Sequence, residues 1–147
     1  MMRAVATALA LVLASCSAGS GGKPMSHYSI DAFQTASARD FIQAVMAGDV
    51  ARARALGALA PDGFNTFGKD GESAILIAVD RGDVAMVQAL LAAGANPNGG
   101  PNRTPLHPAT REIALKMLPM LLAAKADPNL PFADQSPLFE AALIGEV

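Results

Sequence analysis

Val84, Val87, Leu90 and Leu91 recur at intervals that place them on one face of a helix. Just before them, Ser73 is a helix N-cap candidate, and the apolar run behind it predicts a short helix over Ala74–Asp80. Gly82 and Gly94 follow the two helices, where a left-handed residue ends a helix. Asn96-Pro97-Asn98 then starts a turn. A pair of short helices and a turn cannot bury its apolar faces alone and requires neighbours of its own kind.

The sequence supplies those neighbours. Thr104-Pro105-Leu106-His107-Pro108-Ala109 opens a further copy, which closes with Leu121-Leu122 and Ala126-Asp127-Pro128-Asn129. Ser73 to Asn98 and Thr104 to Asn129 are each 25 residues. The joining segments vary: Asn65 to Ser73 is eight residues, Asn98 to Thr104 six, and Asn129 to Ser136 seven. Upstream, Gly48-Asp49-Val50 precedes Gly82-Asp83-Val84 by 34 residues, and another start falls at Ser136-Pro137-Leu138. A constant helical body with a variable loop is the signature of stacked helix–turn–helix units.

At these residues the chain resembles the ankyrin-repeat family, by the Thr-Pro-Leu-His box at 104–107, Gly82-Asp83, the paired leucines and Gly94-Ala95. The resemblance covers about residues 37–147. It implies an all-α solenoid of helix–turn–helix units with projecting loops, about three repeats and a truncated fourth. It also implies use in protein binding. The last repeat stops at Gly145-Glu146-Val147, where earlier copies enter a second helix, so a longer natural product is expected.

The repeats are not uniform. In the first, Arg39 or Asp40 stands where Ser or Thr is expected, and Val50, Leu56 and Leu59 are assigned to the apolar face of its second helix, with Arg52 and Arg54 on the wetter side. An atypical terminal repeat acts as a cap. In the third, Ile113 replaces Gly82, Lys125 replaces Gly94, and Pro119 stands in the place of Gln88. A proline inside a helix costs about 3 kcal/mol, which predicts a kink or a loosened helix there.

Residues 1–15 read differently. Met1-Met2-Arg3 is a short basic start, and Ala4 to Ala14 is an apolar run of 11 residues, too short to span a bilayer and suited to a signal peptide. Leu13-Ala14-Ser15-Cys16 resembles the bacterial lipobox, which implies lipidation of Cys16 through a thioether. Each buried methylene of such a chain contributes about 0.8 kcal/mol, and several chains make a stable anchor. Ser17 after the cysteine resembles the outer-membrane sorting pattern, with the protein facing the periplasm. The alternative is an ordinary secretory signal with an incidental cysteine. Residues 16–36 then form a lipidated cysteine and a tether, Gly- and Ser-rich up to Pro24, leading to the array at 37–147.

Composition narrows the function. Hydrophobic content is 52% and mean hydropathy +0.32, raised by alanine and by the signal segment. The formal charge of −2 becomes −3 once Arg3 leaves, which argues against nucleic acid as a ligand. Cys16 is the single cysteine, so no disulfide can form within the chain. His27 and His107 are the two histidines, and neither has a second ligand at zinc spacing. The resemblance gives His107 a structural role within Thr-Pro-Leu-His. No Gly-x-Ser-x-Gly or phosphate-loop pattern occurs. No cofactor, metal, small-molecule substrate or catalytic residue is expected.

Binding remains. The family architecture implies that the loops before each first helix project together and line a concave face with those helices. The loop tips carry Phe67, Lys69, Asp70 and Glu72, then Asn102 and Arg103, then Phe132, Asp134 and Gln135. Phe67 and Phe132 either anchor a partner or fold back on a neighbouring loop; an aromatic anchor can dominate interface energy. Lipid-anchored ankyrin proteins of Gram-negative bacteria include some that resemble immunity proteins for secreted toxins. The expected role is therefore an envelope-anchored protein-binding module that neutralises a toxin, or alternatively a scaffolding lipoprotein.

Overall fold

The computed structural model describes residues 28–101, 103–109 and 115–130. Among them the helices are α1 (Ala36–Ala47), α2 (Val50–Gly57), α3 (Ala74–Asp80), α4 (Val84–Ala92), α5 (Leu106–Ala109) and α6 (Leu118–Ala123). Short 3-10 turns lie at Ile30–Ala32, Gly63–Asn65 and Leu115–Met117. The first helices α1, α3 and α5 pack side by side, as do the second helices α2 and α4, and each pair packs internally. Two layers of helices thus share one apolar core. Phe41, Ile42 and Val45 come from α1, Ile75, Ile77 and Val79 from α3, and Met86, Val87 and Leu90 from α4. Leu106, Met117 and Leu121 continue the core into the third repeat. Every residue of Ala74–Val79 is buried, because α3 has a neighbour on either side as well as α4 behind it.

Local chemistry explains the helix ends. Ser73 accepts the Leu76 N–H at 3.3 Å, and Thr35 caps α1 by accepting the Ala38 N–H at 3.2 Å. The first repeat is therefore not headed by Arg39 or Asp40: Thr35 starts α1 one turn earlier. At the other end, Gly48 and Gly82 are left-handed, with φ of 74° and 70°. Beyond them, the Asp49 N–H donates to the Ala44 carbonyl and the Asp83 N–H to Ala78, each at 3.0 Å. The same aspartates cap the next helices through the Arg52 and Met86 N–H groups, both at 3.0 Å. One aspartate closes a helix with its backbone N–H and opens the next with its side chain, so the turns need only two and three residues.

The same closing pattern follows α4 at Gly94 and α6 at Lys125, where the Ala126 N–H donates to the Leu121 carbonyl at 3.0 Å. Lys125 adopts φ 67°, the one non-glycine residue with positive φ among the described residues. The third repeat keeps its helix stop and bears the strain of a side chain in it, about 1–2 kcal/mol. Lys125→Gly is expected to raise stability by about 0.5–1 kcal/mol, since the glycine's greater freedom in the unfolded chain offsets part of the relief. A urea melt that shows a loss would contradict this account.

Pro119 corrects a sequence expectation. It lies in the first turn of α6, not its interior. A 3-10 turn, Leu115–Met117, replaces the beginning of the second helix, and α6 is six residues against nine in α4. At that position the missing N–H has no helical partner to lose. Ile113 lies outside the described residues.

The second helix of the first repeat also departs from expectation. Leu59 lies beyond the end of α2 and is 76% exposed, while Ala53 and Gly57 are buried. The rings of Phe64 and Phe41 press on Gly57, where an added Cβ would overlap Phe64, so only glycine fits there unless a ring moves.

Successive repeats are also stitched by asparagine. Asn65 accepts the Asn96 N–H at 2.6 Å, and Asn98 accepts the Asp127 N–H at 2.7 Å. The turns read as local motifs therefore carry the repeat-to-repeat register as well.

Candidate protein-binding face

Two loops precede first helices within the described residues. In the first, Phe67 bridges Ser73 in antiparallel fashion, and the Gly68 N–H donates to the Glu72 carbonyl at 2.7 Å. In the second, Gly100 bridges Arg103 in the same way. Gly100 lies against the backbone of Gly71, where a side chain would overlap the Gly71 carbonyl. The two loops are thereby held side by side by direct backbone contact.

The expected site residues separate into three groups. Phe67 is 53% exposed, and Lys69 and Asp70 are exposed beside it on the same loop. Arg103 is half-buried on the next loop. Glu72 departs from the expectation. It is 5% exposed, and its carboxylate accepts the Asp70 N–H at 3.2 Å, closing the loop from within. Its role is to shape the loop that presents Phe67. Asn102, Phe132, Asp134 and Gln135 lie outside the described residues, as does Cys16.

Tyr28, Asp80 and Arg81 were not legible as part of this face. The Tyr28 hydroxyl donates to Asp80 Oδ2 at 3.1 Å across 52 residues of sequence. Asp80 ends α3, and the adjacent Arg81 has its Nε enclosed with no hydrogen-bond partner. Burial, followed by the charge of Asp80 and the bond to it, pushes the Tyr28 hydroxyl well above its ordinary value of 10. Arg103 pulls in the other direction, and Glu72 adds a smaller upward push. The folded chain keeps this proton where the unfolded chain has released it. The stabilisation is therefore fully present below about pH 10 and declines as pH rises through that value toward the higher folded one. Melting temperatures between pH 8 and 11 are expected to fall less steeply for Tyr28→Phe than for the parent chain.

Among the described residues no group of His, Cys, Asp or Glu is placed to hold a metal ion. Nor is any of their helices long and apolar enough to cross a membrane. Met117 is fully buried and Met120 packs against the core, so the two act as filler.

Paired helices in two layers, with bridged loops leading into the first helices, define a helical repeat scaffold. A family model described as ankyrin repeats in three copies matches residues 41–131, and the chain belongs to the ankyrin-repeat family. Its fold is an all-α ankyrin solenoid. Ankyrin repeats are generally protein-binding modules and typically non-catalytic.

Proposed function

We propose that this chain is an envelope-anchored ankyrin module that captures one bacterial protein on its loop and first-helix face and neutralises it as a secreted toxin. The observation that supports binding there is Phe67, exposed on a loop otherwise closed by Glu72 and braced by Gly100. A rigid loop presents an aromatic side chain with little ordering cost on association. Lys69 and Asp70 flank it with both signs of charge, which favours a defined partner over a uniformly charged surface. Cys16 would carry the lipid that holds the module at the outer membrane, facing the periplasm.

The test is affinity capture from periplasmic extract with the chain expressed without Cys16. One stoichiometric partner, lost about 30-fold or more in affinity on Phe67→Ala, is the expected result for an aromatic anchor worth ~2 kcal/mol. Toxicity of that partner in cells lacking the chain would establish neutralisation. Broad, weak capture that ignores Phe67 would instead identify a scaffold. For the anchor, Cys16→Ala is expected to move the protein from the membrane to the soluble fraction.

A further inference from the structure

Residues 28–33 touch both the Phe67 loop and the end of α3. Phe33 is 2% exposed and locked into the core. From it the chain passes the Phe67 loop, where the Ala32 carbonyl accepts the Lys69 N–H at 3.3 Å. Ala32 Cβ sits only 3.1 Å from where a side chain on Gly68 would begin. The segment then reaches Asp80 through the Tyr28 hydroxyl at 3.1 Å. Its contacts thus come from the Phe67 loop and from the end of a first helix, the two kinds of element that make up the face.

We propose that residues 28–32 occupy the partner groove in cis, and that its ligand in trans is a short peptide segment of a partner protein with a single turn like Ile30–Ala32. That segment would set a hydroxyl, most simply a phenol, against Asp80 and a backbone carbonyl against the Lys69 N–H. The proposal rests on the reading above that a partner uses this face. The contact set is that of a bound peptide: one main-chain hydrogen bond, one bond to a carboxylate, and apolar contact of Tyr28 and Ala32 with the core beside the fully buried Phe33. Phe33 is the anchor and stays with the core. The two hydrogen bonds are individually modest against water, and Tyr28 and Ala32 are only partly buried where Phe33 is fully so, so residues 28–32 can lift while Phe33 remains. A tethered segment competes at an effective concentration of order millimolar, which a partner must exceed and a free peptide of this sequence cannot.

The probe is a fluorescent synthetic peptide spanning residues 25–32, titrated by anisotropy into the full-length chain. Tyr28→Ala opens the groove and is expected to bind the peptide at least about 10-fold tighter than the parent chain. Adding Asp80→Asn to that variant is expected to return most of the gain. Without peptide, the Lys69 amide of Tyr28→Ala should exchange about 10-fold faster with deuterium, and the peptide should restore its protection. Circular dichroism shows whether each variant is folded. Equal affinity for all three chains, no binding to the opened chain at millimolar peptide, or an unchanged Lys69 amide would each overturn the proposal. If the opened chain binds peptide while no cellular protein is captured, the groove stands and the dedicated partner falls. Capture dependent on Phe67 without peptide binding has the reverse meaning.

Discussion

Phe41→Ala is expected to lower the unfolding free energy by about 3–5 kcal/mol. Phe41 is fully buried in α1 and meets the Phe64 ring edge-on, with centroids 5.8 Å apart at 84°. It also lies against Gly57, so it joins both helices of the first repeat to the turn that follows. Its removal leaves a cavity that the neighbours cannot close, because α1 is fixed by Thr35 at one end and Gly48 at the other. Marginal domains have only about 5–15 kcal/mol in total. In a solenoid the loss also weakens the interface with the next repeat. Urea unfolding followed by circular dichroism checks it; a loss under 1 kcal/mol would show that Phe41 is not the keystone of the first repeat.

Gly100→Ala is expected to cost about 1–3 kcal/mol, although it adds one methyl group. The methyl would meet the Gly71 carbonyl, a backbone atom that cannot rotate away. The two loops must part to admit it, so the variant should also lose partner capture in proportion to the displacement of Phe67. Gly94→Ala is the matched control. Gly94 has φ 88° with nothing near its missing side chain, so the substitution carries only the left-handed strain, about 1–2 kcal/mol. It should leave capture unchanged. Parallel melts and capture assays of the two variants separate loop bracing from backbone strain. Equal effects on capture would remove the claim that backbone contact aligns the loops.

The sequence expectations succeeded where the physics is local. Ser73, Gly82 and Gly94 are legible because a cap or a left-handed stop acts within a few residues, and the repeat period then follows from the apolar spacing. They failed where a distant group sets the outcome. Pro119 looked like a helix breaker because the repeat period was extended into a copy whose second helix begins late. Leu59 looked like core by its spacing from Val50 and Leu56, but α2 ends where the rings of Phe41 and Phe64 converge on Gly57. Glu72 is a charge in a loop, and nothing in its neighbours indicates that the loop folds around it.

By itself, then, the sequence determined a stack of helical pairs with loops before each first helix, since apolar periodicity and capping are short-range and repeat in register. It also marked Phe67 as a loop aromatic. Only the tertiary structure decided that Phe67 stands in solvent while Glu72 turns inward, and that loop leans on loop through Gly100 and Gly71. The same holds for Tyr28, which crosses 52 residues to Asp80. These contacts join segments whose proximity is a product of stacking, and no periodicity along the chain encodes which side chains meet across a face assembled from three separate stretches.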